Sequence, residues 1–330
     1  MYVVTAAPVA ILLCVVTMLG WGSWANTQKL AGREHWRFEL YYWDYALGVL
    51  LCAVLFGLTL GSRGPVGPGL FENLSQGAGG SMGYALASGA LFNLSNILLV
   101  VAIDRAGMAV AFPVGVGLAL VIGTIGSYVD TPKGNALLLF AGVALILTAM
   151  AVSSLAHRRL PRSSQAGRHG TLFAVLAGCL MGFFYPQLAR SISPEFVTQP
   201  IAPGMLTPYA ALLLFGVGLV ASNVVINTVF LRVGGLSYAD YFRGSARVHA
   251  TGLAGGAIWM IALELNIIAS GVAGPAVSYA LGQGAALVAS LWGIFIWKEF
   301  RAAPAGTGKL LALMILGYLA GIVAIGAATL

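Results

Sequence analysis

The sequence predicts an all-α integral membrane protein with ten transmembrane helices, organised as two inverted five-helix repeats. Three observations predict it. Of the 330 residues, 59% are hydrophobic and only 8% charged, with a mean hydropathy of +0.91, whereas soluble domains carry roughly 25% charged residues. So few charges cannot cover a water-facing surface, while lipid solvates apolar helix faces directly. The apolar residues fall into ten runs, each long enough for a bilayer core of ~30 Å. The two halves also repeat a pattern of small residues at a constant offset.

The runs cover approximately residues 3–30, 42–60, 81–103, 107–129, 135–156, 171–189, 207–231, 248–270, 273–297 and 307–330. The first has no basic residues ahead of it and no small-residue cleavage site with a polar sequel. It therefore reads as a first helix rather than a removable signal. The links at 104–106 and 271–272 are very short, so spans three and four, and eight and nine, form antiparallel hairpins. In spans four and nine, Gly115, Ala119 and Gly123, and Gly282, Ala286 and Ser290, recur every four residues. That spacing puts small side chains on one helix face and favours close packing between membrane helices.

Charge gives the orientation. All of the 17 Lys and Arg residues except Arg63, Lys133 and Arg190 follow the odd-numbered spans. Cytoplasmic loops carry the Lys/Arg excess, so these loops are expected on the cytoplasmic side and both termini on the other. An even number of spans is required for that, in agreement with ten. The net charge of +7 is thus a topology signal for a multi-pass protein of the cell (inner or plasma) membrane. It does not call for a nucleic-acid partner.

The basic stretch 157–170 separates a first repeat, residues 1–156, from a second, 171–330. At an offset of 167, Gly89 matches Gly256, Gly107 matches Gly274, and Gly115, Gly117 and Gly126 match Gly282, Gly284 and Gly293. Five spans is an odd number, so the second repeat enters the membrane from the opposite side. Inverted repeats are common in secondary transporters, with sites at the repeat interface.

A polar side chain in hydrocarbon is costly unless it faces protein or a water-filled cavity, which makes these residues the site candidates. Glu264 is the acid deepest in a span. It reads either as a carboxyl that loads and releases protons to couple transport, or as one held by neighbouring helices. Asp44, at the start of span two, reads as an interfacial or helix N-terminal charge. Asn93 and Asn96, Asn223 and Asn227, and Tyr279 and Gln283 form pairs three or four residues apart. Such amides suit a neutral polar ligand or act as interhelical glue. Trp21 and Trp24, with Asn26 just beyond, and Trp259 lie deeper than Trp36, Trp43 and Trp297, which fit the interfacial aromatic belt. Their flat faces can stack on a sugar ring or a planar heterocycle.

Enzyme chemistry finds no support. His35, His157, His169 and His249 sit in loops or at a span edge, and Cys14, Cys52 and Cys179 lie in apolar runs without CxxC spacing. No metal set, cofactor motif or nucleophile with a base is present.

Residues 22–29 (GSWANTQK), 42–61 (YWDYALGVLLCAVLFGLTLG), 227–235 (NTVFLRVGG) and 291–301 (LWGIFIWKEFR) resemble the ureide permease family. Residues 95–125 (SNILLVVAIDRAGMAVAFPVGVGLALVIGTI) and the last hundred residues equally resemble the L-rhamnose–proton symporter and glucose uptake permeases. All belong to the drug/metabolite transporter superfamily. The resemblance implies ten helices, a central cavity, alternating access and proton coupling. The ureide permeases carry a longer central loop with a nucleotide-binding-like motif that the short loop 158–168 lacks, so no ATP role carries over.

The sequence thus predicts a proton-coupled importer of a small neutral polar solute, either a sugar or a ureide- or nucleobase-like heterocycle, in which one half rocks against the other. Scarce buried acids and bases argue against polyvalent cations and polyanions. A drug or metabolite exporter of the same fold is the alternative. A non-transporting scaffold or membrane enzyme is the reading from another class. The expected partners are the solute, protons and the bilayer, with homodimerisation left open.

Overall fold

The computed structural model describes residues 1–160 and 168–329. Residues 161–167 of the expected linker, with Arg162, therefore lie outside the described residues. Among the described residues, ten helices are long and apolar enough to cross a membrane. They are α1 (Ala7–Arg33), α2 (Phe38–Arg63), α3 (Gly79–Ala106), α4 (Met108–Asp130), α5 (Ala136–His157), α6 (Arg168–Ser191), α7 (Pro208–Val233), α8 (Ala246–Ala273), α9 (Pro275–Ile296) and α10 (Thr307–Ala327). Each coincides with an expected span to within a few residues.

Local sequence fixes the helix ends. The side chains of Asn135, Thr207 and Ser245 accept hydrogen bonds from the backbone N–H groups of Leu138, Ala210 and Val248, satisfying donors that a first turn leaves unpaired. Pro208 and Pro275 open α7 and α9, where a missing N–H costs nothing. The hairpins α3–α4 and α8–α9 turn at Gly107 and Gly274, with φ of +76° and +85°, a conformation closed to most L-residues. Both α3 and α8 run for 28 residues and end at this matched pair of glycines.

Large apolar side chains such as Leu51, Leu137, Val225, Leu316 and Val323 point outward and are exposed, as a lipid-facing surface requires. Inside, glycines bring the helices together. At the α2–α8 crossing, a Cβ on Gly48 would strike the Leu253 carbonyl and one on Gly256 the Tyr45 carbonyl. The α7–α3 crossing is built the same way, with Gly218 on the Leu86 carbonyl and Gly89 on the Phe215 carbonyl. Between α5 and α10, Gly142 and Gly321 face each other's carbonyls. Exchanging each helix with the one five places along maps the first crossing onto the second.

The helices do not pack as helices one to five against six to ten. α1 lies on α8 and α9, while α6 lies on α3 and α4. The reason is again small residues: Gly20 of α1 fits against Ala262 of α8, and Gly178 and Gly182 of α6 fit against Gly115 and Ile122 of α4. Two mixed clusters result, α3–α4–α6 and α1–α8–α9. α2 and α7 flank them, and α5 and α10 pair with each other. The two sequence halves are therefore not separate packing units.

Connections interlock at each end. At the basic end, Arg37 donates to the Gly234 carbonyl (2.8 Å) and Arg247 pairs with Glu34 (3.1 Å). At the opposite end, Ala78 N–H donates to Gly204 O (2.9 Å), and Asn73 bridges Met205 O (3.2 Å) and Thr207 N–H (2.8 Å).

Candidate functional site

A chamber of about 150 Å³ lies between the two mixed clusters. One wall is Phe92, Asn96 and Leu99 of α3, Val116 of α4, and Met181 and Phe184 of α6. The other is Trp21 and Trp24 of α1, Trp259 of α8 and Gln283 with a run of alanines of α9. Among the described residues, no charged side chain lines it. Trp259 is its organising ring: Phe92 stacks on it at 4.1 Å between centroids, and Trp21 lies near-parallel at 6.0 Å with 17° between planes. The indole N–H of Trp21 donates to the Trp259 carbonyl (3.3 Å), which fixes the pair across α1 and α8. Trp24 tilts onto Tyr45 at 5.1 Å. The Asn96 amide N–H₂ reaches the Tyr42 hydroxyl (3.3 Å).

Toward the basic end the chamber adjoins a second cavity of about 120 Å³, sharing Gly22, Ala25, Ala286 and Ala289 with it. This vestibule reaches Asn26, Lys29, His157 and Glu299. Toward the opposite end the clusters are sewn together. The Tyr185 hydroxyl of α6 donates to Asn266 Oδ1 of α8 (2.6 Å), and the Asn266 amide donates to the Ser278 carbonyl of α9 (2.8 Å). The Tyr279 hydroxyl donates to the Ala119 carbonyl of α4 (3.2 Å), and Lys133 donates to the Gly271 carbonyl (2.8 Å). Tyr185 and Tyr279 pack ring on ring at 4.6 Å. Gly123 leaves the space that the Tyr279 ring fills.

Of the residues singled out from sequence, Trp21, Trp24, Asn96, Trp259 and Gln283 line the chamber. Asn26 lines the vestibule, where its Oδ1 accepts from the Trp297 indole (2.6 Å). Tyr279 belongs to the seal. Asn93 is buried against α7, donating to the Ser222 hydroxyl (2.9 Å), and Asn227 donates to the Glu39 carbonyl (3.0 Å). Asn223 is fully buried with both amide atoms unbonded to protein. None of these three lines the chamber.

Glu264 is also away from it. Its side chain is fully buried in α8, neither carboxyl oxygen has a protein hydrogen-bond partner, and its electrostatic neighbours are Cys52 of α2 and Tyr209 of α7. Asp44 has a full set of partners at the basic end: the Tyr241 hydroxyl (2.6 Å) and His249 Nδ1 (2.9 Å). Burial, reinforced by the hydrogen bond to Asp44, raises the Tyr241 phenol above its ordinary range. In the same connection, hydrogen bonds from Ser237 hold Asp240 below the usual carboxylate range.

Phe92, Met181, Phe184, Tyr185 and Asn266 are the site residues that sequence reasoning missed. Asn266 carries the same signal as Asn96 and Gln283, a polar side chain deep in a span. The apolar and aromatic wall residues carried none, because membrane helices are rich in them throughout. Among the described residues, no three His, Cys, Asp or Glu side chains group as a metal site would need.

Comparison with known proteins agrees with this architecture. Residues 41–169 match the family model described as Ureide permease. Ureide permease 1 of Arabidopsis thaliana is 33% identical over 48% of this chain and 41% of its own length. Ureide permease 3 of the same plant is 31% identical over 48% and 46%. The chain thus spans less than half the length of these relatives. Ureide permease 4 of Arabidopsis thaliana is 23% identical over 98% of this chain and 97% of its own. A solved crystal structure aligns over 95% of this chain and 96% of that one, with a TM-score of 0.56 at 15% identity, and shares the fold. The chain is a multi-pass membrane protein that resembles the ureide permeases.

Proposed function

We propose that the chain is a secondary transporter that carries a small, neutral, planar solute of ureide type. The observation that carries this reading is the chamber: near-parallel indole faces, two amides and no charge, closed at one end and continuous with a vestibule at the other. An aromatic ring gives a flat solute a stacking partner, and Asn96 and Gln283 each offer both a donor and an acceptor for the edge of such a solute. An ion entering this space would shed its hydration without a counter-charge, at a cost of several kcal/mol.

In this reading the two halves are inverted repeats, as the matched glycine crossings and the paired Gly107 and Gly274 turns support. The basic end faces the cytoplasm of the cell membrane, so the chamber is open inward. Transport separates cluster α3–α4–α6 from cluster α1–α8–α9 at the sealed end and joins them at the other. Glu264 supplies the proton coupling. A carboxyl buried without a partner changes charge only when the structure around it opens, which ties its protonation to the conformational cycle.

The test is uptake into proteoliposomes of labelled hydantoin, uracil and glucose, with and without a pH gradient. The reading predicts uptake of the planar heterocycles, accelerated by the gradient. Uptake of glucose alone would overturn the planar-solute assignment, and uptake of none by folded protein would overturn the carrier assignment.

A further inference from the structure

The vestibule below the chamber carries a feature that the transport reading above does not use but on which the following rests. Among the described residues lining chamber and vestibule, Glu299 is the one acid and Lys29 the one lysine or arginine. The two are joined in an ion pair. The pair is built, not incidental. The last turn of α9 is a π-helix, Trp292–Ile296, a form found frequently at functional sites. It aims the Trp292 indole at the Ser23 hydroxyl (2.9 Å) and is followed by Trp297, whose indole donates to Asn26. Lys298, with φ of +53°, turns the chain back, and Glu299 N–H closes on the Gly293 carbonyl (3.0 Å). A Cβ on Gly293 would stand 2.9 Å from Glu299 Oε2, so the glycine makes room for the carboxylate. Lys29 is held over the Trp297 ring at 5.0 Å, with Arg33 over the same ring at 4.8 Å.

The surroundings give the pair its meaning. The basic end carries most of the cations of the chain, and a cleft lined by one sign of charge concentrates ions of the other. Without Glu299, the way to the chamber would draw in anions. We infer that the Lys29–Glu299 pair is a charge filter at the mouth of the chamber, holding the entrance neutral so that uncharged solutes are admitted over ions. An exposed ion pair contributes little to stability, so its variants are expected to fold.

Hydantoin and its ring-opened acid, hydantoate, differ by one water and one negative charge, and their uptake ratio reads the filter. Glu299→Gln should raise the hydantoate-to-hydantoin ratio about tenfold. Lys29→Gln should lower it, and the exchange Lys29→Glu with Glu299→Lys should restore the wild-type ratio. Equal loss of both solutes in the single variants, or an unchanged ratio, would overturn the filter and leave the pair a structural tie. If folded wild-type protein takes up neither solute, the transport reading fails and the filter is judged separately. Ser153→Cys places a thiol in the vestibule, and Glu299→Gln should speed its labelling by an anionic thiosulfonate relative to a neutral one. No change in that ratio overturns the inference.

Discussion

Replacing Asn266 with Ala removes the centre of the seal. The substitution breaks the Tyr185 hydroxyl bond at 2.6 Å and the bond to the Ser278 carbonyl at 2.8 Å. Only the Tyr185 bond joins the two clusters, since α8 and α9 belong to the same one. Interhelical hydrogen bonds within membranes average ~0.6 kcal/mol and reach ~1.7, so its loss weakens the sealed state by about 0.6–1.7 kcal/mol. That corresponds to a factor of about 3 to about 20 in the equilibrium between sealed and unsealed forms. Cys14 reports on it, because it is fully buried beside Ser278 and Tyr185. With Cys52 and Cys179 changed to Ser, Cys14 should react with a membrane-impermeant maleimide, applied opposite the basic end, faster by a factor in that range. Tyr185→Phe removes the same bond between the clusters and should give a similar acceleration. Labelling at the wild-type rate in folded Asn266→Ala protein would show that these bonds do not hold the chamber closed.

Three further outcomes follow from the same geometry. Gly48→Ala and Gly218→Ala each drive a methyl group into a backbone carbonyl of the crossing helix, so both should lower the thermal midpoint in detergent by similar amounts; a tolerated substitution at one site only would break the symmetry argument. Trp259→Ala removes the ring on which Phe92, Trp21 and Phe215 stack, and with it the stacking partner of the solute; at ~0.5–1.5 kcal/mol for such a contact it should cost about 2- to 13-fold in hydantoin affinity by equilibrium binding, and Trp259→Phe should recover part of it. Glu264→Gln should abolish gradient-driven accumulation yet leave counterflow exchange, whereas equal loss of both would make the carboxyl structural.

The ten spans were legible because each is a continuous apolar run with the length of a bilayer, and the basic loops marked their ends. The aromatic and amide wall was half legible. Trp21, Trp24, Asn96, Trp259 and Gln283 stand out in the sequence as polar or amphipathic groups at depth, and all five line the chamber. Depth does not say which way a side chain turns. Asn93 and Asn96 are three residues apart on one helix, yet Asn96 lines the chamber while Asn93 is spent on Ser222. Glu264 meets the same criterion, yet it is buried in α8 away from the chamber. The mixed packing of α1 with α8 and α9 was hidden because it depends on which small-residue faces meet across the chain. The sequence shows those faces without their partners.

The central claim, that a flat uncharged solute lies against Trp21 and Trp259, is tested most directly by the structure of the purified protein with hydantoin bound. Density for the ring is expected in the chamber, in contact with those indoles and within hydrogen-bond reach of Asn96 or Gln283. Density beside Asn223 or Glu264, with the chamber unoccupied, would contradict it.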